Sequence, residues 1–66
     1  MISQDEASKY LYTLFGDFMK KKNVSEYDKD WIYAQVTFSR AIDLISDNEC
    51  KMMTDSINEK KSIKLN

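Results

Sequence analysis

Residues 31–49 read Trp31-Ile32-Tyr33-Ala34-Gln35-Val36-Thr37-Phe38-Ser39-Arg40-Ala41-Ile42-Asp43-Leu44-Ile45-Ser46-Asp47-Asn48-Glu49. Trp31, Ala34, Phe38, Ala41, Ile42 and Ile45 recur at steps of three and four, the period of one helix face. Ile32 and Val36 lie beside that stripe as a flank. The stretch closes on Ser46-Asp47-Asn48-Glu49, a capping box. In such a box the serine hydroxyl accepts from the glutamate N–H, and the glutamate carboxylate reaches back to the serine N–H. The spacing predicts a helix over about 27–45, its core face on the Trp31–Ile45 stripe. A third helix then follows over about 47–60. Cys50, Met53 and Ile57 give that last helix a narrow apolar stripe, with Met52 beside it.

Toward the N-terminus, Ser3-Gln4-Asp5-Glu6 is the same signal, and its acidic pair suits the positive end of a helix dipole. Ala7, Leu11, Leu14 and Phe18 follow at steps of four, three and four, widened by Tyr10, Phe15 and Met19. Lys20, Lys21 and Lys22 occupy the end where cations favour exposed carbonyls, and Asn23 can take a left-handed cap. The first helix is therefore expected over about 4–22. Val24 to Asp30 reads as the connection. Ser25 with Asp28 offers a second cap there, so the next helix starts near Glu26 or near Lys29. Residues 61–66 read as a flexible basic tail in which Ile63 and Leu65 alternate with polar residues.

One glycine and no proline leave the chain without the usual punctuation of β-hairpins. The fold class is all-α: a single domain over residues 1–60, a helical hairpin or three-helix bundle, open to completion by dimerisation. Sixty-six residues bury only about 60% of the surface of the unfolded chain, which makes a lone core marginal. A single cysteine forbids an internal disulfide, and the absence of histidine leaves no plausible zinc set. Good helix packing or a partner chain must make up the difference.

Chemistry is disfavoured by the same counts. Histidine, the usual acid–base group at neutral pH, is missing. Cys50 has no imidazole to activate it and falls on an apolar stripe, where a small core residue is the expected role. Asp28 with Asp30, and Asp43 with Asp47, are carboxylate pairs better suited to caps and solvated faces than to a water-excluding cleft. No enzyme activity, cofactor, metal or small-molecule substrate is expected. No apolar run approaches the roughly 20 residues of a membrane span. The lone thiol and the acidic opening, unlike a basic and then apolar export signal, place the expected location in the cytoplasm of a bacterial cell or phage host.

The apolar inventory exceeds one seam, and surplus apolar surface usually marks an interface. The expected function is a small protein-binding regulator or inhibitor, of the kind carried by a phage, plasmid or acquired island. It would dock a helical face on a larger protein, on a second copy of itself, or on both. The contact surface expected from spacing is Tyr12, Ile32, Tyr33, Val36 and Arg40. The alternatives are a small chaperone or structural subunit of an assembly, and a nucleic-acid-associated transcriptional modulator. The modulator would use Lys20, Lys21, Lys22, Lys60 and Lys61. It is the weaker reading, because ten basic against eleven acidic residues leave no positive excess to hold a phosphate backbone. In size and class alone, the chain is similar to short helical transcription modulators and to small secretion chaperones.

Overall fold

The computed structural model describes residues 3–63 and contains three helices: α1 (Gln4–Lys20), α2 (Glu26–Ala41) and α3 (Asp47–Glu59). The fold is all-α and compact. They run up, down and up. The Gln4 side chain reaches the Asp43 carbonyl at one end, and the Lys60 ammonium reaches the Met19 carbonyl at the other.

Each helix begins on a serine. At α2 the Ser25 hydroxyl accepts from the Asp28 N–H while the Asp28 carboxylate accepts from the Ser25 N–H. Ser46 and Glu49 form the same reciprocal box at α3. These boxes start α2 at Glu26, the earlier of its two expected points. At α1 only half the box forms, with Ser3 accepting from Glu6.

The C-termini depart from expectation. Helix α1 stops at Lys20 with an extended Lys21, not at a left-handed Asn23. Helix α2 stops at Ala41, four residues before the expected end. There Asp43 adopts φ 61° and two backbone bonds close the turn, Asp43 N–H to the Arg40 carbonyl and Leu44 N–H to the Ser39 carbonyl. This is a Schellman motif with aspartate where glycine is usual. It frees Leu44 and Ile45 from the helix and lets Ile45 drop into the core.

The core consists of Leu11, Phe18, Val24, Ile32, Val36, Ile45, Met53 and Ile57, with Leu14, Phe15 and Cys50 packed against it. Val24, assigned by sequence to a connection, is fully buried, and its carbonyl accepts from the Ile63 N–H at 2.8 Å. A single parallel bridge joins Val24 to Ser62. It ties the start of the expected tail to the α1–α2 connection; Lys64 to Asn66 lie outside the described residues.

The core face of α2 is the reverse of the one expected. Ile32 and Val36, expected on the contact surface, are 1% and 0% exposed, whereas Trp31 and Phe38, expected in the core, are 45% and 62% exposed. Ala34, Ala41 and Ile42 are exposed with them. The reason is steric. The Cα atoms span 41 × 22 × 16 Å, a slab about two helix layers thick. Short aliphatics and the small Ser39 let α1 and α3 close on α2, whereas two large rings on that side would hold them apart. Ser39 is buried at no polar cost, because its hydroxyl donates to the Gln35 carbonyl.

The Asp43 turn provides a direct check. Asp43→Asn, which keeps a side chain tolerant of left-handed backbone, should leave the urea midpoint nearly unchanged. Asp43→Val should cost about 1–2 kcal/mol, the penalty of placing a branched residue at positive φ. Equal losses for both would remove the turn's conformational role.

Candidate protein interface

The outer side of α2 carries Tyr27, Trp31, Ala34, Phe38 and Ala41, separated by steps of four, three, four and three. All five are exposed. A 4-3-4-3 apolar series is the narrow seam of a helix built to pack against another helix. Beside it α1 presents Tyr10 and the half-buried Leu14, and Ile42 extends the patch past the end of α2.

Two shallow grooves run along the line between α1 and α2 and share Leu14. One, of about 280 Å³, lies between Leu14, Phe18, Trp31 and Ile32, with Asp17, Lys21 and Asp28 around it. The other, of about 220 Å³, is lined by Ala7, Tyr10, Leu11, Phe38, Ile42 and Leu44, with Gln35 and Ser39 as its polar members. The exposed rings of Trp31 and Phe38 stand one in each groove wall. Such a surface can receive apolar side chains from another protein, and it offers few polar groups for fixing a small ligand.

The other expected contact residues are scattered or occupied. The Tyr12 hydroxyl donates to the Glu49 carboxylate, which puts Tyr12 on the α3 side of α1. Tyr33 is exposed, but its neighbours Ile32 and Val36 are inside. Arg40 donates to Asp43 at 2.9 Å and to Asp47, bracing the α2–α3 turn. The Asp43–Asp47 pair singled out from spacing is thus a clamp on Arg40. The lysines do meet. Lys20, Lys21 and Lys22 end α1 at the same end of the slab as Lys60 and Lys61. Lys60 is already engaged, bonded to the Met19 carbonyl and 5.8 Å from the centre of the Phe18 ring. Glu26, Asp28, Asp30 and Glu59 share that end and offset the positive charge.

Sequence spacing shows this stripe from Trp31 through Ala34, Phe38 and Ala41 but suggests a core face, whereas all four are exposed. Its missed member is Tyr27, which falls in the expected connection and in the structure extends the stripe into the first turn of α2. None of the described helices is long and apolar enough to cross a membrane. Comparison with protein-family models, with curated proteins and with solved structures finds no match.

Three carboxylates are held below their ordinary range. Asp28 is lowered first by the Ser25 N–H, Asp47 by the Arg40 guanidinium, and Glu49 by the Tyr12 hydroxyl and then by Ser46. The same contact pushes the Tyr12 phenol up. A depressed carboxylate contributes stability above its unfolded value and loses it as pH falls through the folded one. The urea midpoint should therefore stay flat from neutral pH to about 5 and decline below about 4, where ordinary carboxylates protonate. Tyr12→Phe should make that acid decline shallower. An unchanged profile would show that the Tyr12–Glu49 bond does not form in solution.

Proposed function

We propose that this chain is a small protein-binding regulator, an inhibitor or modulator that docks the outer face of α1 and α2 on another protein. The observation that carries this reading is the exposed seam of Trp31 and Phe38 with Tyr10 and Ile42 around it. Aromatic side chains combine large contact area with few rotatable bonds, which is why they dominate the energetics of protein interfaces. A folded domain gains nothing from holding them in water, and contiguous apolar patches on small proteins generally mark contact sites. The cytoplasm is the proposed location, where the unpaired Cys50 remains reduced.

The test is affinity capture from the cells that naturally make the chain, using the wild type and Phe38→Glu. Phe38 is exposed, so the variant should keep its helical circular dichroism and lose the captured protein. Tyr12→Ala, on the opposite side of α1, should retain it. Recovery of the same protein by Phe38→Glu would place the contact elsewhere.

The convergence of the lysine clusters at one end supports a second reading, binding to a phosphate backbone. That reading requires duplex affinity to fall by a factor of roughly ten or more between about 50 and 200 mM salt. With four acidic residues among those lysines, we expect no measurable binding at the lower salt.

A further inference from the structure

We propose that the seam of α2 is covered by a second copy of this chain, the two α2 helices packing antiparallel about a twofold axis level with Val36. This rests on reading the α1–α2 face as a protein-binding surface and names its occupant.

The first argument is the order of side chains along the seam. In an antiparallel pair of 4-3-4-3 helices, alternate seam positions meet one another across the interface. With the axis level with Val36, Trp31 lies against the partner's Ala41, and Phe38 lies against the partner's Ala34. Twofold symmetry repeats each pair. Every ring then meets a methyl group, and four layers interlock large to small, the arrangement that close packing favours. A parallel pair sets Trp31 on the partner's Trp31 and alanine on alanine, leaving the layers alternately crowded and empty.

Charge gives a second, independent argument. Asp5, Glu6, Asp43 and Asp47 lie at one end of the slab with Arg40 against the last two, whereas at the other end Lys20, Lys21, Lys22 and Lys61 are nearly balanced by Glu26, Asp28, Asp30 and Glu59. The antiparallel twofold sets each acidic end beside its partner's nearly neutral end. A parallel pair would set acidic end against acidic end. Steering of this kind fixes orientation more than it adds affinity.

Area sets the strength. A buried aromatic side chain covers roughly 150–250 Å², and Tyr10, Tyr27, Trp31 and Phe38 are 45–75% exposed. With Ile42 and the two alanines, each copy offers on the order of 500–600 Å², so the pair buries about 1,000–1,200 Å². That lies at the low end of protein interfaces, among weak and transient ones, so the dimer should exchange with monomer as concentration falls.

The experiment is sedimentation equilibrium of the full chain from micromolar to millimolar concentration, read together with the emission of Trp31, the sole tryptophan. The mass should rise from 7.8 kDa toward twice that value, and the emission should shift to shorter wavelength over the same range as the indole leaves water. Ala34→Glu places a charge under the partner's Phe38. It should keep the chain monomeric and abolish the shift while the helical signal persists. Orientation is read from Ala41→Cys in a Cys50→Ser background. In the antiparallel dimer the two position-41 thiols sit about 15 Å apart along the seam, at 1.5 Å per residue, and should not oxidise to a disulfide. A monomer at every concentration overturns the proposal, as does a dimer indifferent to Ala34→Glu or a ready disulfide at position 41. If the chain stays monomeric yet Phe38→Glu still loses a captured protein, the second copy is excluded and the protein-binding function stands.

Discussion

Helix α2 carries two apolar stripes, and a slab of three short helices can bury only one of them. Most of the structure follows from this limit. Ile32 and Val36 go inward because aliphatic side chains let α1 and α3 approach to helix-packing distance, roughly 8–10 Å between axes. Trp31 and Phe38 are left outside because enclosing them on the remaining side would take a further helix beyond the three described. The core is therefore small and aliphatic apart from Phe18 and Met53, and the rings of Trp31 and Phe38 remain exposed. The exposed seam is the consequence of a volume limit, and a partner is the ordinary way for a small domain to relieve it.

Helix positions were largely legible in the sequence because local chemistry sets them. Ser25 and Ser46 bond to residues three positions on, so their effect is visible without knowledge of the rest of the fold. Endings were less legible. The α2 terminus depends on Asp43 taking a left-handed backbone, and aspartate enters that region only occasionally. No glycine advertised the turn. Its Arg40 clamp draws on Asp47 beyond the turn, a pairing that spacing alone did not rank above a solvated face.

The exposed apolar surface was legible as a surplus but expected on the wrong stripe of α2, since Ile32 and Val36 are buried and Trp31 and Phe38 are exposed. Periodicity shows that α2 has two apolar stripes but carries no sign of which one faces the neighbours. The reading that placed Trp31 and Phe38 inside followed the common rule that the largest rings bury the most surface. The rule fails here because the available thickness, set by all three helices together, is a property of the whole chain. Val24 escaped for a related reason. It belongs to no helix, and Ser62 and Ile63, 38 and 39 residues on in the sequence, pair with its backbone.

The caps and the seam are linked through entropy. A surface that binds through a few aromatic rings loses affinity for each degree of freedom it must freeze on contact. Here α2 is fixed at its start by the Ser25–Asp28 box, at its end by the Asp43 turn, and along its inner side by Ile32 and Val36. Trp31, Ala34, Phe38 and Ala41 therefore sit at fixed heights on a helix that is already formed. The same features that let so small a chain fold present the seam as a preformed row of rings and gaps, which the proposed contact would meet. Shape, more than total area, then decides which partner fits, because a row that alternates large with small accepts only a surface with the reciprocal order.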